Sequence, residues 1–318
     1  MNGAGEGGIG FDVVICTNRF TRYLPLAVAS VANQTYTDWN LTVIDDGSDS
    51  PDEIDRVVEG LPRARVIHQD NRGLPAARNA AVRATTANVV TFLDEDDLWP
   101  AGRLESQALL LQRRPGSCAV FGDGEYIDSE GRVFGSWVTP EGSREEFLGG
   151  RVPLPRITTL AIRREAFART GLFDESFSMA EDIEYILRLV RVGGLSGTAT
   201  SLVQYRRHDL NMTNASPDSL RAGARRAVQQ NIALAEAQDA ARDVALLREY
   251  LRREDRRWAA DSASRVIHLL KQGGARRAAA DAVSSLRLAP LDFLSGALRA
   301  VGARASSRLA RAPRQERT

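Results

Sequence analysis

Between residues 11 and 122, short runs of apolar, β-branched residues alternate with stretches whose apolar positions recur at helical spacing. That alternation is the strongest constraint on the fold. Strands buried on both faces read as unbroken hydrophobic runs, and interleaving them with helices gives a largely parallel sheet with helices on both faces. The runs at 11–17, 41–45, 64–68, 89–93 and 118–121 read as strands, and 24–33, 51–59, 75–84 and 103–112 as the helices between them. Ser50, Pro51, Asp52 and Glu53 mark one helix start. They supply a cap residue, a proline where no N–H is needed, and acids at the positive end of the helix dipole.

In such sheets, ligands bind beyond the carboxyl ends of the strands. Three of those ends are polar here: Thr17, Asn18 and Arg19; Asp45, Asp46, Gly47 and Ser48; and the four consecutive acids Asp94, Glu95, Asp96 and Asp97. Carboxylates crowded at the end of a buried strand repel one another unless a cation or hydrogen-bond donors lie between them. The third cluster therefore reads as a divalent-cation site, for Mg²⁺ or Mn²⁺. A solvated acidic run, or a cap for the helix beginning near Pro100, is the alternative. Asp45 to Ser48 has a comparable alternative, an Asx turn that Gly47 makes easy.

Composition removes other classes. The chain has 318 residues, 43% of them hydrophobic, enough for a packed core. A net charge of +1 gives no electrostatic case for a nucleic-acid partner. Cys16 and Cys118 lie inside apolar runs and read as small core residues, which fits a reducing cytoplasm. No run reaches ~18 apolar residues and the amino terminus carries Glu6 instead of a basic stretch, so neither a spanning helix nor a signal peptide is expected. Residues 3–8 fit G-x-G-x-x-G but precede the first strand, where they cannot cradle a pyrophosphate. Residues 1–10 read as a flexible segment.

A second, less regular half occupies 123–214. It carries β-like stretches at 126–127 and 133–138, a proline-rich loop at 152–155, a helix at 182–192 and a closing strand at 202–206. From residue 215 onward, Ala, Arg, Leu and Glu at helical spacing predict an all-helical appendage through 318 with an Arg-rich tail. Residues 258–270 and 275–286 resemble one tetratricopeptide-like hairpin. Leu294, Leu298, Val301, Ala305 and Leu309 share a helical face beside Arg304, Arg308 and Arg311. Residues 291–311 thus suit peripheral contact with an anionic bilayer, the alternative being packing on the α/β domain. The same helices offer a surface for a homodimer.

Several spaced elements occur in order: Thr17-Asn18-Arg19, Gln34-Thr35-Tyr36, Val43-Ile44-Asp45-Asp46-Gly47-Ser48, Asn71-Arg72-Gly73 with Ala77-Arg78-Asn79, Phe92-Leu93-Asp94-Glu95-Asp96-Asp97, Gly171-Leu172-Phe173-Asp174-Glu175, Glu181-Asp182 and Tyr205-Arg206-Arg207-His208. On these the chain, over 11–210, resembles the family 2 glycosyltransferases, inverting enzymes of the GT-A, Rossmann-like fold that use nucleotide-diphosphate sugars. It departs from them at Cys16-Thr17-Asn18, where the family commonly has Pro-Thr-Tyr-Asn.

The resemblance implies a nucleotide-sugar-binding half at 11–122 and an acceptor-binding half at 123–214. It assigns Asp96 to the metal, with Asp94 facing the ribose and a metal-bound water in the same site. Asp46, with Asp45, would accept the imide N–H of uracil or thymine, favouring a UDP- or dTDP-sugar. Thr17, Asn18, Arg19, Arg78 and Glu95 would line the donor, and His208 would reach the diphosphate or the metal. Asp182 would be the general base, with Glu181 as its substitute; by residue type alone the pair reads as a helix N-cap with a first-turn acid. The acceptor would be a carbohydrate, a lipid-linked sugar or a small molecule, met in the cytoplasm or at the inner face of the membrane. Two other readings are a catalytically degenerate sugar-nucleotide or partner-binding module, and a nucleotidyltransferase. The latter needs a Gly-rich basic loop after the first strand, which this chain lacks.

Overall fold

The computed structural model describes residues 8–209, 211 and 217–271, and beyond them 279, 282–283, 285–286 and 289–297. The first half follows the expected alternation: β1 (Phe11–Thr17), α1 (Leu24–Ala32), β2 (Trp39–Asp46), α2 (Pro51–Arg56), β3 (Ala64–Gln69), α3 (Leu74–Ala84), β4 (Val89–Asp94) and α4 (Arg103–Arg113). The helix at Pro51 starts where expected, although the Ser50 side chain makes no capping bond. Phe11, Val13, Ile15, Val43, Val89 and Leu93 of the strands pack with Leu24, Val28, Val31, Leu104 and Leu111 in one buried cluster. Removing this apolar surface from water is the main driving force for the sheet.

β1 to β4 are mutually parallel, in the order β3-β2-β1-β4. The next strand is not the one at 118–121. The edge of β4 is taken by β7 (Ala161–Arg163), antiparallel, and β5 (Ser117–Ile127) pairs with the far side of β7. β7 has three residues, too few for any periodicity to announce it. Between β5 and β7 the chain makes β6 (Val133–Trp137) and α5 (Arg144–Leu148), the latter started by a capping box between Ser143 and Glu146. α6 (Arg164–Thr170) and α7 (Glu181–Val192) follow.

β8 (Gly194–Arg206) runs parallel to β5, starting eight residues before the expected 202. Its first half is rich in Gly, Ser and Thr and mostly half-buried, so it lacks the apolar signal of a strand. A bridge between Leu98 and Gln204 brings the end of β8 beside the turn that follows β4. The carboxyl ends of β1, β2, β4 and β8 thereby frame one region.

The chain divides into two compact units, 1–247 and 248–318. Helical composition begins near 216 as read, but α8 (Pro217–Ala237) belongs to the first unit, where Asn231 Nδ2 donates to the Glu184 carbonyl of α7 at 3.1 Å. α9 (Ala241–Lys271) is continuous across residue 258, where the hairpin reading placed a helix start. In the second unit, Ala259, Ala289 and Phe293 pack with Val266, Ala282 and Ala297. Leu291 and Leu294 are exposed, at 78% and 52%. The remainder of the 291–311 face, the Arg-rich tail, most of 275–286 and residues 1–7 lie outside the described residues. No described helix is long and apolar enough to cross a membrane.

Candidate active site

β4 delivers Asp94 to the rim of the sheet, and a turn closed by Asp97 N–H donating to the Asp94 carbonyl (3.1 Å) gathers the acids. Asp97 points inward and is fully buried; its Oδ1 accepts the Arg206 backbone N–H at 2.8 Å. Arg206, also buried, donates Nε to the Asp96 carbonyl at 2.8 Å. The acidic turn is thus strapped to the end of β8. The strap also sets His208, whose Nε2 lies 2.9 Å from Asp96 Oδ2 and whose ring stacks on Tyr23 at 5.2 Å. Asn211 completes the corner, donating Nδ2 to Asp96 Oδ2 at 3.2 Å and accepting the His208 N–H at 2.7 Å. Burial, with the charges of Asp94 and Asp96, pushes the Asp97 carboxyl well above the usual carboxylate range.

Arg78 joins this turn to the start of α7. Its guanidinium is 3% exposed, lies 2.6 Å from Glu181 Oε1 and 3.6 Å from Asp94 Oδ1, and stacks over Phe92 and Phe173. A buried cation needs compensating anions, and these two carboxylates supply them. Arg78 therefore does not project towards a ligand as a surface arginine would. Asp182, half-buried beside Glu181, is pushed up to about 6 by burial and by the Glu181 charge, with Arg78 opposing. Burial likewise raises Asp94 to about 6 against the pull of Arg78. Immediately before this pair, Ala180 sits at φ 64°, the left-handed region that residues with a Cβ rarely adopt.

The strand ends of β1 and β2 form the other lip. The Thr17 hydroxyl donates to Glu95, whose carboxyl burial pushes up to about 7, and Arg19 Nε lies 3.7 Å from the same carboxylate. Asn18 is exposed beside them. Asp46 accepts from Gln69 Nε2 (2.7 Å), Arg72 N–H (2.9 Å) and Gly73 N–H (2.8 Å), so both its oxygens anchor the loop after β3. Asp45 closes the Asx turn with Ser48 N–H at 2.9 Å, and its other oxygen meets His68 Nδ1 at 2.8 Å. Gly47, at φ 75°, is needed here: a Cβ would lie 2.6 Å from the Asn71 amide nitrogen.

The predicted residues fall into two groups around one rim. Asp94, Asp96, His208, Arg78, Glu181 and Asp182 are linked by contacts, and Thr17, Arg19 and Glu95 form the adjoining lip, whereas Asp45 and Asp46 are engaged by their own loops. Sequence reasoning passed over Asp97 as a site-organising residue and over Asn211 altogether. Asp97 carried a signal, as the fourth acid of the run; a lone loop asparagine carries none. Among the described residues, no group of three His, Cys, Asp or Glu is assembled around a metal position. Asp96 and His208 present two donors face to face. The carboxylates of Asp96 and Asp94 are the part of this corner that fits Mg²⁺ or Mn²⁺, since such ions take one or two protein carboxylates and complete their shell with water and substrate phosphates.

A sheet of this order with an acidic turn at the end of its fourth strand defines a GT-A-type α/β fold. The chain belongs to glycosyl transferase family 2, whose family model matches residues 12–171. It is similar to an uncharacterized glycosyltransferase of Nostoc sp., 40% identical over 97 residues, 30% of each chain. It is also similar to chondroitin synthase of Escherichia coli, 30% identical over 178 residues, 54% of this chain and 25% of the relative. The alignments thus span less than a third of either relative. Among solved structures, S. aureus TarS 1-349 in complex with UDP-GlcNAc superposes with a TM-score of 0.65 at 18% identity, covering 91% of this chain and 89% of that one. At that identity the likeness speaks for the fold alone.

Proposed function

We propose that the protein transfers a sugar from a nucleotide diphosphate, UDP or dTDP, to an acceptor hydroxyl in one inverting displacement. The observation that carries this reading is the Arg78 bridge, which holds a carboxylate pair at the start of α7 across from the acidic turn after β4. Family membership and the UDP-GlcNAc complex of the TarS fold relative support a nucleotide-sugar donor.

Asp182 takes the proton from the acceptor hydroxyl as its oxygen attacks the anomeric carbon from the face opposite the diphosphate. The bond from that carbon to the diphosphate oxygen breaks, its electron pair leaves with the nucleotide, and the configuration inverts. Asp182 is suited to this because its raised pKa, about 6, makes it a stronger base than an ordinary carboxylate while leaving it ionised at neutral pH. Glu181, fixed by Arg78, is an orienting neighbour. Asp96 with His208, and Asp94 beside them, would hold a Mg²⁺ or Mn²⁺ ion, which when bound neutralises charge on the departing diphosphate. Thr17, Asn18, Arg19 and Glu95 line the donor side. Asp46 contributes by fixing the loop at Arg72 and Gly73.

Thermal unfolding of the chain with UDP, dTDP, GDP or CDP, each with and without Mn²⁺, tests this. UDP or dTDP with Mn²⁺ should raise Tm by about 5 °C at a hundredfold excess over Kd. Asp96→Asn should remove the Mn²⁺-dependent part. An undiminished shift in that variant rejects the ligand role of Asp96, and no shift with any nucleotide rejects the donor site.

A further inference from the structure

Beyond the acidic turn, four aromatic rings on β5, β6 and β8 gather around one arginine. Tyr126 and Tyr205 face each other across the β5–β8 register at 6.2 Å, Trp137 lies 4.9 Å from Tyr126, and Phe134 stacks on Tyr126 at 6.0 Å. The arrangement depends on two glycines. A Cβ at Gly124 would stand 2.3 Å from the Trp137 ring and one at Gly135 would touch Tyr126 at 3.6 Å, so both rings lie flat over bare backbone. Arg156 spans the group, 4.2 Å from the Trp137 centroid, 5.1 Å from Tyr205 and 5.4 Å from Tyr126, and donates to the Tyr126 hydroxyl at 2.8 Å.

Arg156 has no carboxylate partner among the described residues, and the platform opens to solvent at Phe134 (61% exposed) and Val138 (72%). It lies next to the proposed centre. Tyr205 precedes Arg206, which is bonded to Asp96 and Asp97, and the charge of Arg156 acts on Asp97. Flat aromatic faces suit the apolar faces of a sugar ring, and a guanidinium held on rings, without a carboxylate, is complementary to a phosphate or carboxylate.

We propose that this platform is the acceptor subsite and takes a saccharide bearing an anionic group. Its ring lies on the exposed face of Phe134, and its phosphate or carboxylate lies on Arg156 beside it. The inference rests on the transferase reading above.

The test uses the full chain saturated with UDP and Mn²⁺ and titrated with methyl β-glucoside, methyl β-glucuronide or glucose 6-phosphate. Saturation-transfer NMR reads the binding. The anionic probes should bind about tenfold tighter than the neutral glycoside, and Arg156→Gln should abolish that preference. Phe134→Ala, at an exposed rim position, should weaken all three about threefold without loss of fold. Comparison of the glucuronide with the phosphate tells which anion is preferred. Equal affinity for neutral and anionic probes, a preference that survives Arg156→Gln, or a platform covered by a second copy of the chain in light scattering overturns the proposal. The nucleotide shift measured on the same samples separates the two ideas. Its loss defeats the transferase reading, whereas its presence without anion preference defeats this one alone.

Discussion

Arg78 is where the chemistry of single residues is decided. One buried guanidinium faces Glu181 and Asp94, and it is the cation that restrains the rise of both Asp94 and Asp182. If Asp182 is the base, turnover requires it ionised, and kcat/KM should fall as pH drops through about 6. Asp182→Asn should lower turnover by about 10²- to 10⁴-fold while the nucleotide shift persists. Retained turnover would move the base elsewhere. Arg78→Gln removes the opposing cation, so the acid limb of the profile should move to higher pH; an unmoved limb would show that Arg78 does not tune the base. The acidic run was legible in the sequence as carboxylates crowded at a strand end, whereas Glu181 and Asp182 by themselves read as an ordinary helix N-cap and first-turn acid, and only the wider pattern gave them a catalytic role. The Arg78–Glu181 contact was not legible. Its partners are 103 positions apart, and nothing local marks an arginine in the first turns of a helix as buried.

The element that packs on α7 and on the loop leading into it is α8. Arg226 donates to the Ser176 carbonyl at 2.9 Å and to its hydroxyl at 2.7 Å, Gln230 donates to Asp174, and Asn231 reaches the Glu184 carbonyl. Together they hold α7 and the loop leading into it. Gly223 lets α8 approach that loop closely: a Cβ there would stand 3.1 Å from the Met179 carbonyl and 3.2 Å from Ala180 Cβ. Ala180 in turn holds its left-handed backbone directly ahead of Glu181 and Asp182, a conformation that costs about 1–3 kcal/mol unless its surroundings impose it. Gly223→Val should push the loop aside and lower kcat about ten- to hundredfold, with little change in nucleotide affinity, since displacing a reacting group by ~1 Å costs that much. Wild-type kcat in this variant would remove α8 from any positioning role. Buried strands and amphipathic helices of the first half could be read from periodicity alone. β7, α5, α6 and the first half of β8 could not, being either too short to carry a period or built from Gly, Ser and Thr. The helical composition of α8 was visible, but not that its packing partner is α7.

Across the whole molecule, the acidic turn makes the response of stability to pH run opposite to the common acid-denaturation pattern. In the folded chain Asp94 and Asp182 are pushed up to about 6 and Glu95 to about 7, against ordinary values of 3.8 for Asp and 4.5 for Glu, and burial raises Asp97 well above its ordinary value. Between these limits the native state binds more protons than the unfolded chain. Its stability therefore falls as pH rises through the window and recovers as pH is lowered. His68, raised chiefly by its bond to Asp45, acts in the same direction, because its contribution is present below its unfolded value and lost above its folded one. Asp128, Glu146 and Asp174 are lowered by hydrogen bonds, and their contributions fade only below the ordinary carboxylate range. The window from pH 7.5 to 5.5 thus excludes these lowered carboxylates and reads the raised acids together with His68. The chelator-treated, ligand-free protein should gain about 2–5 °C in Tm on going from pH 7.5 to 5.5. Mn²⁺ with UDP, held by the ionised acids as proposed, should flatten or invert that slope. Asp94→Asn with Glu95→Gln should raise Tm at pH 7.5 and make the dependence shallower, leaving the part due to Asp182, Asp97 and His68. A ligand-free Tm that declines steadily over the window would mean that these carboxylates are not crowded at the rim of the sheet, and the case for a cation site there would fall with it.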